Sequence, residues 1–135
     1  MDFKESMKYL EGLKGRGMVL GLDNIKRLME AFYRPDEKLK FIHIGGTNGK
    51  GSLSTYLGSV LKEAGYRTGV YTSPEIYTFN ERFVINGQMI SDEEIAEILT
   101  DIRIISEAEN IPLTAFEAET ALAALYFMKN GCDFA

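Results

Sequence analysis

Leu39-Lys40-Phe41-Ile42-His43-Ile44-Gly45, running straight into Gly46-Thr47-Asn48-Gly49-Lys50-Gly51-Ser52, is the stretch on which the fold turns. The first seven residues are apolar and β-branched enough to suit a short buried strand. Beyond the glycine-rich run, Leu53, Tyr56, Leu57, Val60, Leu61 and Ala64 recur at helical spacing, and Gly65 is placed to end that helix. Residues 67–72 (RTGVYT) read as the next strand. Strand, loop, helix and strand in close succession predict a βαβ unit, and therefore a parallel sheet.

The loop itself carries chemistry. Small residues let successive backbone N–H groups turn toward one point and form an anion nest. The helix that follows adds unsatisfied N–H groups and the positive end of its dipole. Lys50 supplies a compact charge for β- and γ-phosphates, and Ser52 or Thr47 offers a hydroxyl to phosphate or magnesium. Glycine at 49 and 51 removes Cβ atoms that would hinder a ligand. The spacing departs from the usual P-loop: Ile44 stands where a first glycine is expected, and Gly51 follows the lysine in place of Ser or Thr. A nucleotide-phosphate site is predicted, with Thr47, Asn48, Gly49, Lys50, Gly51 and Ser52 as its residues.

Upstream, residues 2–13 place Phe3, Met7 and Leu10 on one helical face, with Asp2 and Glu5 in capping-box spacing. Four glycines between Gly12 and Gly21 read as a flexible loop. Asp23 is the expected N-cap of a second short helix, with Ile25, Leu28, Met29 and Phe32 inward, ended by Pro35 and Asp36. Downstream, Ser73-Pro74 breaks the strand and residues 75–81 form a polar and aromatic loop. Asn86-Gly87 between apolar runs signals a hairpin across residues 82–90. Ser91 with Glu94, and Thr114 with Glu117, mark the starts of two more helices, the second ended by Gly131. The last residues, Cys132-Asp133-Phe134-Ala135, open a further strand. The fold expected is a three-layer α/β nucleotide-binding domain cut before its parallel sheet is complete. Residues 1–38 form a helical lead-in and residues 39–135 the core, so that the chain reads as the amino-terminal piece of something longer.

Composition narrows the function. With 135 residues and 45% apolar side chains, the chain holds about one globular domain. No apolar run reaches the ~18 residues of a membrane span, and residues 1–12 alternate charge and apolar character, unlike a secretory signal. One cysteine, Cys132, and one histidine, His43, exclude an internal disulfide and a Cys/His zinc site, and point to a reducing cytoplasm. The net charge of −5 is uneven: residues 81–135 carry 3 basic and 11 acidic side chains. No basic stripe follows a nucleic-acid backbone, and no basic amphipathic helix suits a lipid surface, so neither partner is expected.

Gly46–Ser52 (GTNGKGS), then Tyr71-Thr72-Ser73-Pro74, then Phe79-Asn80-Glu81-Arg82 closely resemble the folylpolyglutamate/dihydrofolate synthase family, which belongs with the Mur ligases. The likeness runs through nearly all of the chain. It takes in Tyr9-Leu10 and Gly21-Leu22 before the loop and Leu113-Thr114-Ala115-Phe116-Glu117 after it. GTNGK alone marks the Mur-type ATPase group, and Gly51 with the TSP and NER segments narrows it to the folate branch. The resemblance implies an ATP- and Mg2+-dependent amide ligase of one-carbon metabolism. In it a folate γ-carboxylate, or dihydropteroate in the synthase reaction, is activated as an acyl phosphate and joined to L-glutamate. Ser73 is implied as a magnesium ligand, with Ser52 a second candidate on geometry. Tyr77, Arg82 and Phe116 are candidates for folate contact, and the loops over residues 73–82 and 12–21 would border the pterin and aminobenzoate pocket. A cytoplasmic protein, monomeric at full length, is expected.

The sequence departs from the family at Glu75, where many members carry histidine. The family's later metal ligands and glutamate-binding carboxy-terminal domain lie outside these residues, so the chain alone is expected not to ligate glutamate. Two rivals remain at this point. A P-loop kinase or GTPase is disfavoured by the shifted glycine pattern and the lack of an Asn-Lys-x-Asp base-reading motif. A non-catalytic nucleotide-binding module is disfavoured by the half-formed last strand. Plain structural roles are expected for His43, for Cys132 as an inert buried thiol, for Glu117 as a helix cap and for Asp92-Glu93-Glu94 at a helix start. Arg82 reads by default as a solvated charge.

Overall fold

A computed structural model describes residues 1–135. The chain is an α/β protein whose residues divide into two compact units. One comprises Met1–Asp36 and Asp92–Tyr126, the other Glu37–Ser91 and Phe127–Ala135. No helix is long and apolar enough to cross a membrane.

The first unit is helical. Helix α1 (Phe3–Lys14) begins at the capping box expected of Asp2 and Glu5: the Asp2 side chain accepts from the Glu5 amide and the Glu5 carboxylate from the Asp2 amide, both at 2.8 Å. Helix α2 spans Asp23–Ala31 and its N-cap is Leu22, not Asp23. Asp23 is instead the first helical residue, where its charge still faces the helix's positive end. Both helices pack on α4 (Asp92–Ala108), which starts directly after Ser91. Leu10, Leu13, Leu28, Ile95, Leu99 and Ile102 are all buried. The carbonyls that follow α4 are satisfied by cationic and amide side chains: Arg27 donates to Glu109 at 2.6 Å and Asn24 to Pro112 at 3.1 Å. That is the favourable end of a helix for a positive group.

Helix α5 (Ala115–Lys129) opens with the predicted Thr114/Glu117 box. The Glu117 carboxylate accepts from the Thr114 amide and hydroxyl at 3.0 Å each, and the Glu117 amide donates to the Thr114 hydroxyl at 3.2 Å. Every residue from Ala121 to Phe127 is buried, so this stretch of α5 is apolar all round rather than striped, as an enclosed length of helix must be. Its end is a Schellman turn: Gly131 (φ +66°) donates to Met128 and Cys132 to Phe127.

The second unit holds the sheet. Helix α3 (Lys50–Glu63) ends in the same way, with Gly65 at φ +92° donating to Lys62 and Tyr66 to Leu61. It leads to β1 (Gly69–Tyr71), which pairs antiparallel with β2 (Phe83–Ile85), and β2 pairs antiparallel with β3 (Gln88–Met89). The β2–β3 turn is Asn86-Gly87, both at positive φ, as a two-residue hairpin requires. The Asn86 side chain also accepts from the Thr68 amide at 3.0 Å, tying the turn to the edge of β1.

The stretch expected as a strand over 39–45 runs extended but makes only one parallel bridge, Lys40 with Phe134. Phe134 bridges Thr68 in parallel as well, so residues 134 and 135 lie between the two segments that the βαβ reading expects to be parallel. Two residues give the 39–45 segment too short a ladder to count as a strand. Parallel pairing is therefore confined to these bridges, and the three-stranded sheet is antiparallel.

Candidate functional site

Gly46 adopts φ +144° and Gly49 φ +80°, backbone conformations that a side chain would resist. Gly49 is the N-cap of α3 and, having no side chain, leaves the first turn of the helix without a capping group. Lys50 is the first residue of that helix. Residues 47–52 are all exposed, so the amides at the start of α3 face water where an anion could reach them. The Lys50 ammonium folds back to donate to the Gly46 carbonyl of its own loop. Ser54 and Thr55 turn their hydroxyls inward to the Lys50 and Gly51 carbonyls. The structure therefore places Thr47 to Ser52 together at the start of α3, with Gly49 at its N-cap and Lys50 as its first residue.

Ser73 stands in the same unit, exposed, directly after β1 and Thr72. The segment beyond it is more ordered than a plain polar loop. Phe79–Arg82 forms a 3-10 turn, and the Glu81 carboxylate accepts from the amides of Ile76, Tyr77 and Thr78 at 2.9, 2.9 and 2.7 Å. Those backbone bonds, the one from Thr78 foremost, hold its pKa below the ordinary glutamate value. Arg82 is not a solvated charge: it pairs with Glu75 and its side chain is 15% exposed. Its guanidinium also lies 5.3 Å from the centre of the Phe79 ring. Glu75, the departure from the family pattern, thus acts as the partner of Arg82. Tyr77 is 89% exposed at the tip of this loop.

Phe116, the remaining folate candidate, belongs to the helical unit, on the first turn of α5 and 67% exposed. His43 is exposed on the extended segment rather than satisfied in an interior. Cys132 is buried, which raises its thiol pKa despite an opposing pull from Arg67, a cation near in space and distant in sequence. No group of three or more His, Cys, Asp or Glu side chains is arranged to hold a metal ion. Glu81 is the residue whose local role the sequence reading missed. The signal was present in Thr78-x-x-Glu81, the spacing of a capping box.

The chain is 39% identical over 129 residues to the dihydrofolate synthase/folylpolyglutamate synthase of Bacillus subtilis, covering 93% of this chain and 30% of that protein. Its relatives are folylpolyglutamate and dihydrofolate synthases. Folylpolyglutamate synthase from Thermotoga maritima superposes with a TM-score of 0.89 at 36% identity, covering 98% of this chain and 32% of that one. Folylpolyglutamate synthetase from Lactobacillus casei gives 0.92 at 31% identity, covering 100% and 35%. The fold is thus the Mur-ligase-like α/β fold of these synthases. The chain spans between 16% and 33% of the length of the first curated relatives it matches. A further solved neighbour, at 31% identity, is an FPGS–AMPPCP–folate complex. No family model matches the chain.

Proposed function

We propose that this chain supplies the ATP-binding part of an amide ligase that adds L-glutamate to the γ-carboxylate of folates. The observation that carries the reading is the start of α3, where an uncapped helix terminus, a left-handed Gly49 and the Lys50 ammonium share one exposed turn. The synthase relatives and the AMPPCP–folate neighbour support the choice of nucleotide and acceptor. No observation favours a kinase, a GTPase or a non-catalytic module.

The chemistry asks for little covalent help from the protein. A carboxylate oxygen of folate bonds to the γ-phosphorus while the bond to the β-γ bridging oxygen breaks and ADP leaves. The amine of glutamate then bonds to the acyl carbon and phosphate departs, the nitrogen losing its proton. In the first step the barrier falls mainly through positioning and through neutralising charge on the phosphoryl oxygens. The loop amides and Lys50 would do both: the amides fix the triphosphate, and the ammonium would leave the Gly46 carbonyl for the β- and γ-phosphates.

Ser52 and Ser73 would offer hydroxyls to Mg2+. Both are exposed and no carboxylate cluster stands ready, a donor set that fits an ion bound largely by substrate phosphate and water. When bound, that ion supplies charge neutralisation of the triphosphate. Tyr77 and Phe116 are each candidates for contact with an aromatic part of the folate. Arg82, held by Glu75, would serve the loop rather than the ligand. Dihydropteroate as a second acceptor, a cytoplasmic location and a monomeric full-length protein complete the reading.

Lys50→Ala tests it. Isothermal calorimetry should show ATP binding to the wild-type chain, GTP binding at least tenfold weaker, and loss of most ATP affinity in the variant with its circular dichroism unchanged. Equal ATP affinity in the two proteins would remove the loop from the mechanism.

A further inference from the structure

The carboxylate of Glu81 lies outside the glycine-rich loop, yet it gathers three backbone amides of its own segment. One oxygen accepts from Ile76 and the other from Tyr77 and Thr78, three consecutive amides converging on one anion. That is the geometry of an anion nest with its occupant tethered five residues or fewer down the chain. The Glu81 amide closes the turn by donating to the Thr78 carbonyl at 3.1 Å. The base of the loop is anchored as firmly. Asn80 donates from its side chain to the Ile90 carbonyl at 2.9 Å, and Phe79 packs edge-on against Phe83, which is fully buried.

Against this anchoring, Ile76 and Tyr77 are 80% and 89% exposed. A backbone pinned this closely, carrying two large apolar side chains into water, gains nothing for its own burial from the pinning. The order serves whatever those side chains meet. Fixing a contact surface in advance removes the ordering cost from the binding step.

We propose that Glu81 is a positioning residue: it holds residues 76–78 so that Ile76 and Tyr77 form a preset apolar edge for the aromatic part of the acceptor substrate. The inference rests on the folate reading above. Glu81 itself touches no substrate. Glutamine at this position keeps the shape but turns an N–H2 group toward backbone donors, so at least one oxygen's share of the amides is lost.

Amide hydrogen exchange by NMR, together with calorimetric affinities for folate and for ATP, tests the proposal on the wild-type chain and on Glu81→Gln. Exchange should quicken at least tenfold at residues 76–78 and stay unchanged in β1 and β2. Folate affinity should fall at least tenfold while ATP affinity stays within twofold, a split that a general loss of stability would not produce. A second variant, Ile76→Ser with Tyr77→Ser, changes only exposed side chains and leaves the clamp intact. It should lose folate affinity to a similar extent with exchange at residue 78 unaltered. Unchanged protection in Glu81→Gln, or undiminished folate affinity in either variant, overturns the positioning role while leaving the folate reading intact. A wild-type chain that binds ATP but takes up no folate overturns the folate reading, and the positioning role with it.

Discussion

Glu81 shows how a single carboxylate sets the pH behaviour of a loop. Its pKa is lowered in the folded chain by the amides of Thr78, Ile76 and Tyr77, whereas in the unfolded chain it returns to the ordinary glutamate range. A group with a depressed folded pKa contributes order that is complete above the unfolded value and is lost as pH falls through the folded one. The clamp is therefore intact at neutral pH and opens only in acid. The charged groups beside it are Arg82 and its partner Glu75. Amide exchange at residues 76–78, corrected for intrinsic rates, should stay slow at neutral pH and lose its protection only in acid, below the range in which an ordinary glutamate titrates, and Glu81→Gln should show no such step. A wild-type profile flat into strong acid, or an identical step in the variant, would show that some other group governs the loop. The same residue marks a limit of sequence reading. The spacing from Thr78 to Glu81 was legible, but spacing could not reveal that the carboxylate reaches past Thr78 to two further amides. Likewise Arg82 reads as a free charge until Glu75 is seen to face it.

At the scale of elements, local signals translated into structure and pairing partners did not. The Asp2/Glu5 and Thr114/Glu117 boxes, the Gly65 and Gly131 stops and the Asn86-Gly87 turn all depend on residues within a few positions of one another. The antiparallel pairing of β1 with β2 joins residues more than ten apart, and periodicity carries no information about it. The segment over 39–45 has the composition of a strand, but strand structure needs a neighbour, and only Phe134 and Ala135 lie beside it. Gly69 illustrates a tertiary constraint of the same kind. It reads as an unremarkable member of a strand, yet a Cβ there would lie 2.4 Å from the ring of Phe127, itself only 1% exposed. Gly69→Ala should therefore cost about 1–3 kcal/mol through overpacking, read as a fall in the urea midpoint with little change in slope. A variant as stable as the wild type would mean that β1 and the end of α5 are not packed as described.

Across the whole molecule, the candidate loop was easier to find in the sequence than the architecture around it. The glycine-rich loop over 46–52 is contiguous, so its residues reach one place whatever the rest of the chain does. The helices α1 and α2 meet α4 across some seventy residues of intervening sequence, an arrangement only the coordinates reveal. Charge follows the same division. The acidic surplus of residues 81–135 weighs against a nucleic-acid partner, while the segment holding the loop is nearly balanced and leaves an anionic ligand unopposed. The most direct measurement is a titration of the 15N-labelled chain with Mg2+ and AMPPCP, followed by amide chemical shifts. The account predicts that the largest saturable shifts fall on residues 47–52. Saturable shifts centred elsewhere, with those amides unmoved, would contradict it.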